Sequence, residues 1–143
     1  MVTYVLDSSA VLRYLDNEAG ADRVAHIIKL HVLGVARVVV SDLHWGEIAG
    51  VVYKRHGADM TVKVMSRLDA FAFESAPVTR ERAVNAAVIK AKTGIPYADA
   101  FGVELASDSR EHTLITADYD TKPAANRIQI EFLPANSPIS ATE

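Results

Sequence analysis

The sequence predicts an α/β fold, a mostly parallel sheet of about five strands with helices on both faces. Three observations carry that expectation. Strand-like runs alternate with helical stretches along the chain, the order that βαβ units produce. The run Arg37-Val38-Val39-Val40 is β-branched without alternation, which suits a strand covered on both faces. Two further runs, residues 2–6 and 113–116, lead into the acids Asp7 and Asp118, and ligands collect at the carboxyl ends of strands in open α/β sheets.

Taken in order, Val2-Thr3-Tyr4-Val5-Leu6 is strand-favouring and ends at Asp7-Ser8-Ser9, residue types that cap helices. Residues 10–15 follow with helical apolar spacing. After a polar break, Val24, Ile27, Ile28, His31 and Val32 recur at three- and four-residue spacing and predict a helix from Ala21 to about Leu33, stopped by Gly34. His31 on this stripe reads as a partly buried edge residue rather than a ligand. Beyond the strand at 37–40, Ser41 or Asp42 caps a helix from Leu43 to about His56, closed by Gly57. Its apolar positions are Leu43, Ile48, Val51 and Val52, and Glu47 sits four residues from both Leu43 and Val51. A glutamate on or beside an apolar face is costly to bury without a positive partner. Trp45 reads as packing or as an interaction surface.

The next helix, about Ala58 to Ala70, is expected to turn Val62, Met65 and Leu68 inward. Residues 71–75 alternate as a weaker strand before Pro77. Thr79 caps an alanine-rich helix covering residues 82–92, which Gly94 ends. Ile95-Pro96 opens a last helix reaching about Ser107, with Asp99 in its first turn, where the helix dipole favours an acid. Thr113-Leu114-Ile115-Thr116 is a short apolar strand, Lys122-Pro123 begins an irregular loop, and residues 128–132 alternate like an edge strand. Residues 1–133 form one domain on this reading, and 134–143, small, polar and punctuated by proline, form a loosely ordered tail.

Composition narrows the function classes. With 143 residues and no cysteine, the chain is long enough for a core without disulfides and has no thiolate to offer a metal. No basic-then-apolar leader and no apolar run of bilayer-spanning length occurs, so the expectation is a cytoplasmic protein without a membrane partner. The net charge of -3 does not advertise a nucleic-acid binder. It does not exclude one, because clustered carboxylates can dominate the total while basic residues line a groove elsewhere.

Asp7 and Asp118 both follow strands, so a parallel sheet brings them to the same rim. Asp99 at a helix start and Glu47 within another helix can join them. Carboxylates gathered within a few ångströms raise one another's pKa and call for a counter-charge. A hard divalent cation supplies it, and oxygen donors without cysteine or a histidine cluster favour Mg²⁺ or Mn²⁺ over Zn²⁺. Such an ion can activate water and offset charge developing on a phosphate.

Read together, four segments give these acids a context. They are Val5-Leu6-Asp7-Ser8-Ser9-Ala10, Ser41-Asp42-Leu43-His44-Trp45-Gly46-Glu47, Ile95-Pro96-Tyr97-Ala98-Asp99-Ala100 and Leu114-Ile115-Thr116-Ala117-Asp118. In order and spacing, over residues 2 to 133, the chain resembles the PIN-domain ribonucleases and, among them, the VapC toxins of bacterial toxin–antitoxin pairs. The resemblance implies a PIN-like three-layer sandwich. It also implies that Asp7, Glu47, Asp99 and Asp118 match an acidic quartet that holds Mg²⁺ or Mn²⁺ and supports endonucleolytic RNA cleavage. Thr116 matches a small hydroxyl residue that orients water or a carboxylate, and Ser8 or Ser9 can hydrogen-bond the site or cap the helix. Where the family commonly carries an aromatic three residues after the last acid, this chain has Thr121, and Asp120 stands as a fifth acid or an alternative to Asp118.

The resemblance further implies an RNA substrate, a homodimer, and a cognate VapB-type antitoxin whose tail occupies a groove near the N-terminal helices. The apolar stripes of the second and third helices, with Trp45, suit such a groove or the core. Arg13, Lys54, Arg55, Lys90 and Lys92 offer cations for phosphate contact or for a solvated helix face. Two other readings compete with the nuclease: a PIN module that binds without catalysis, and a phosphoacceptor receiver domain, which also gathers acids at strand ends. The receiver would want paired acids after the first strand and a late lysine, and neither is present.

Overall fold

The computed structural model describes residues 1–136. Along them run β1 (Thr3–Leu6), α1 (Ser8–Leu15), α2 (Ala21–Val32), β2 (Arg37–Ser41), α3 (Asp42–His56) and α4 (Ala58–Asp69). There follow β3 (Glu74–Ala76), α5 (Arg80–Thr93), α6 (Tyr97–Ala106), β4 (His112–Thr116), a 3-10 turn (Tyr119–Ala124) and β5 (Gln129–Phe132). The strands pair in the order β3-β2-β1-β4-β5, all parallel, with Leu6 opposite Ile115 and Val5 opposite both Val39 and Leu114. This order is not the 2-1-3-4-5 of receiver-type sheets. The receiver reading is therefore wrong, and the expected five-stranded parallel sheet is present.

Because strand side chains alternate, the sheet divides its apolar residues between two cores. Val5, Val39 and Leu114 face α5 and α6, where they pack with Ala86, Ile89, Phe101 and Val103. Leu6, Val38, Val40 and Ile115 face α1 to α4 and meet Val11, Val24, Ile27, Ile48 and Leu68. Burial on both faces is why these strands read as unbroken apolar runs. Gly102 in α6 allows the close approach on the first face, since a Cβ there would lie 3.1 Å from Leu114 Cδ1 and 3.5 Å from His44 Cε1.

Several local expectations are corrected. Val62 is 70% exposed, and Val64 and Met65, with Leu68, carry the inner face of α4. Val32 is likewise exposed, because α2 ends there and the chain turns away through Gly34. The third strand is Glu74–Ala76 rather than 71–75: Ala72 takes a left-handed turn (φ 55), and Phe71 and Phe73 stack on each other. Trp45 stacks on Phe73 and donates from Nε1 to Ser75 Oγ, so it packs inside the chain. Val24, Ile27 and Ile28 of the α2 stripe and Ile48 of the α3 stripe lie in the core. His31 behaves as an edge residue, its ring nitrogens meeting Val38 N and the carbonyls of Phe71 and Ala72.

Of the segment expected as a tail, residues 137–143 lie outside the described residues. Pro134 and Asn136 lie against the turn after α1: Arg13 Nη1 donates to the Pro134 and Ala19 carbonyls, and Asn136 pairs with Ala19 N and Glu18. Arg13 thus ties these segments together. Arg55 is paired with Asp16.

Candidate active site

The sheet order reverses between β1 and β4. Connections from β1 proceed outward to β2 and β3, and the chain then crosses to β4 and β5 on the other side. At such a switch point the connections diverge and leave a crevice at the carboxyl ends of the strands. Asp7 directly follows β1 and Asp118 follows β4 by one residue, so neighbouring strands deliver both acids to that crevice. α3 begins directly from β2 with Ser41 as its cap and carries Glu47. The first turn of α6 carries Asp99.

Asp7 is buried and caps α1, its Oδ1 accepting from Ala10 N at 3.0 Å and from Ser9 Oγ at 2.6 Å. The serines are wired into the site and do not cap the helix. Ser8 Oγ donates to Glu47 Oε1 at 2.9 Å. Ser9 gives its only hydrogen to Asp7, so the 3.3 Å contact between Ser9 Oγ and Thr116 Oγ1 has Thr116 as donor. Ala117 N also donates to Ser9 Oγ, and Asp118 N donates to Thr116 Oγ1. A directed chain thus runs from Asp118 N through Thr116 and Ser9 to Asp7. Thr116, fully buried, aligns the two strand-end acids through Ser9.

Asp99 registers the resulting field. Its pKa is pushed up to about 7, first by burial, then by the charge of Asp118 and a hydrogen bond with it, then by Asp7 and Glu47. Its Oδ2 is buried without a hydrogen-bond partner. Asp118 Oδ1 meanwhile accepts from Asp120 N at 2.9 Å, starting the 3-10 turn where an irregular loop was expected. Asp120 is exposed and is not among the groups that perturb Asp99. Thr121 is buried with an unpartnered hydroxyl, and the aromatic contact of this segment comes from Tyr119, whose ring meets Phe132 edge-on and whose hydroxyl donates to the Leu133 carbonyl.

Sequence reasoning assigned His44 no part. It is 1% exposed, with Nε2 3.0 Å from the Ala98 carbonyl and 3.9 Å from Glu47 Oε1. A carbonyl only accepts, so Nε2 carries the hydrogen and ties α3 to the first turn of α6 beside Asp99. The (i, i+3) spacing of His44 and Glu47 was the available signal.

Residues 4–126 match the family model of the PIN domain. The chain belongs to the PIN-domain family. No curated protein matches it in sequence. Among solved structures, this PIN domain is similar in fold to a DNA-bound VapBC from Salmonella typhimurium, at TM-score 0.68 and 16% identity over 92% of this chain and 98% of that one. A toxin–antitoxin complex from Klebsiella pneumoniae gives 0.66 and 14% over the same shares. VapBC-5 of Mycobacterium tuberculosis, a member of the VapBC toxin–antitoxin family, gives 0.56 and 20% over 94% and 100%.

Among the described residues no three His, Asp or Glu side chains form a ready ligand group for a metal. The donor set nonetheless fits a hard divalent cation: it is all oxygen, and the orphaned Asp99 Oδ2 sits in a field of three other acids. No helix among the described residues is long and apolar enough to cross a membrane.

Proposed function

We propose that this PIN domain is a divalent-cation-dependent endoribonuclease, the cytoplasmic toxin of a type II pair, inhibited by a VapB-type antitoxin. The observation that carries the reading is the half-buried Asp99, whose Oδ2 is buried without a hydrogen-bond partner among Asp118, Asp7 and Glu47, the acids that raise its pKa together with burial. Asp7, Glu47, Asp99 and Asp118 would hold Mg²⁺ or Mn²⁺. Bound there, the cation would supply the positive charge that an attacking water and a cleaving phosphodiester need. The chain's own contribution is orientation: Ser8 fixes Glu47, while Ser9 and Thr116 fix the strand-end acids. An ionised carboxylate of the rim accepts the proton of the attacking water.

Structural likeness to VapBC assemblies supports the antitoxin partner. A homodimer is supported by the outer face of α5, where Val84, Ala87, Val88 and Ala91 recur at helical spacing and are exposed. The test is cleavage of a structured RNA by the purified chain in Mg²⁺ or Mn²⁺. Cleavage should vanish on chelation and in Asp7→Asn and Asp99→Asn variants that keep their circular dichroism. Full activity of Asp7→Asn in Mg²⁺ would overturn the assignment.

A further inference from the structure

At the end of the sheet opposite the acidic rim lies a groove of about 330 Å³. It is lined by Ser107, Ser109, Arg110, His112, Asn126 and Arg127, with Ala106 and Ile128 as apolar wall. Among the described residues no carboxylate lines it, in a chain whose net charge is -3. The nearest acid in sequence on one side, Asp108, is turned to Arg82, which grips it through both guanidinium nitrogens at 2.7 and 3.1 Å. On the other side Glu111 lines the neighbouring groove together with Glu131, itself paired with Arg23, and Arg110 stands on the border of both grooves. Arg110 and Arg127 are both exposed and make no salt bridge among the described residues.

We propose that this groove is a second, anion-binding site that takes a phosphate group. Two guanidiniums match phosphate oxygens in charge and donor geometry. The Ser109 hydroxyl, which only accepts from Glu111 N within the chain, and Asn126 supply uncharged donors, while Ser107 gives its hydrogen to the Val103 carbonyl. The carboxyl end of α6, which stops at Ala106 with no basic residue in its last turn, meets His112 Nδ1 at the Leu105 carbonyl, 3.3 Å away, and the two arginines are left to the groove. The site is separate from the rim: strands rise about 3.3 Å per residue, so His112 and Thr116, at the two ends of β4, are roughly 13 Å apart. Its volume exceeds that of a bare phosphate and leaves space for an attached sugar against Ile128. A nucleic-acid strand and a free nucleotide both carry this chemistry.

Nuclear magnetic resonance titration of the full chain without divalent cations tests the proposal independently of the nuclease reading. The probes are inorganic phosphate, adenosine monophosphate and a short oligoribonucleotide. Each should shift resonances of residues 107–112 and 126–129, and the Arg110→Gln/Arg127→Gln variant should bind at least about tenfold more weakly, roughly 1.4 kcal/mol. Tighter binding of the oligonucleotide than of the mononucleotide assigns the phosphate to a strand, and equal binding assigns it to a free nucleotide. Absence of shifts in these segments with all three probes, or equal affinity in the folded double variant, would overturn it.

Discussion

Ser8 donates to Glu47 across 2.9 Å and joins the first turn of α1 to the second turn of α3. Glu47 is otherwise half-exposed, 3.9 Å from the His44 ring, and Ser8 is the contact that fixes its carboxylate. Ser8→Ala should cost about 1 kcal/mol or less in stability, because both groups can return to water. The larger effect falls on the site: cleavage rate should drop several-fold at limiting cation and recover as cation is raised. A titration of rate against Mn²⁺ distinguishes this from a folding defect, which added cation would not repair in the same way.

Thr116 gives the second prediction. Its hydroxyl accepts from Asp118 N and donates to Ser9, which donates to Asp7. Thr116→Val keeps the shape but leaves the Asp118 N–H without its acceptor, at a cost of about 1–3 kcal/mol, while Ser9 keeps its bonds to Asp7 and Ala117 N. Thr116→Ser keeps the hydroxyl and should retain both stability and RNA cleavage. Denaturant unfolding of the pair, with cleavage rates beside it, checks the requirement for the oxygen rather than for the volume.

These two serines and the threonine mark where the sequence was legible and where it was not. Strand ends and a helix start pick out Asp7, Asp118 and Asp99, and Glu47 breaks an apolar stripe, but their grouping as one quartet came from the family resemblance of the four segments. The specific wiring between them was not legible, since Ser9 meets Thr116 only once β1 and β4 are neighbours, and Ser8 meets Glu47 only once α1 and α3 pack. Helix phase was ambiguous for a similar reason. In α4, Val62, Met65 and Leu68 satisfy the spacing as well as Val64, Met65 and Leu68 do, and only the docked sheet decides. Phe71 and Phe73 imitated a strand because stacking on an aromatic neighbour and alternation in a sheet leave the same sequence pattern.

Arg82 binds two acids from different segments, Glu104 at 2.8 Å and Asp108 at 2.7 Å, and Glu104 is buried. Removing the guanidinium leaves Glu104 as an uncompensated charge in the interior. Arg82→Met should therefore destabilise the chain by about 3 kcal/mol. Adding Glu104→Gln to it should recover part of the loss, a non-additivity that a double-mutant cycle measures.

Gly46 and Gly50 lie in the interior of α3, where a Cβ at either would meet nothing within 4 Å. Neither has positive φ. Alanine at each should stabilise the isolated chain by about 0.5–1 kcal/mol, through helix propensity and a less flexible unfolded state. A rise in melting temperature for the double variant is the expected result.

Asp99 makes stability depend on pH with a defined sign. Its native pKa of about 7 lies above the ordinary value of 3.8, so between these limits the folded chain holds a proton that the unfolded chain has released. The stabilisation from that proton is present in full below the unfolded value, fades as pH rises, and is gone above about 7. Asp99→Asn should remove this slope and, after allowance for solvent screening, stabilise the cation-free chain at pH 8 by about 1–2 kcal/mol. Mn²⁺ should act in the opposite direction on the wild type, competing with the proton and raising stability most where Asp99 is ionised. Urea unfolding at pH 5 and pH 8, with and without Mn²⁺, checks both signs. Equal slopes in wild type and Asp99→Asn would show that neither burial nor the neighbouring acids raise this carboxyl's pKa.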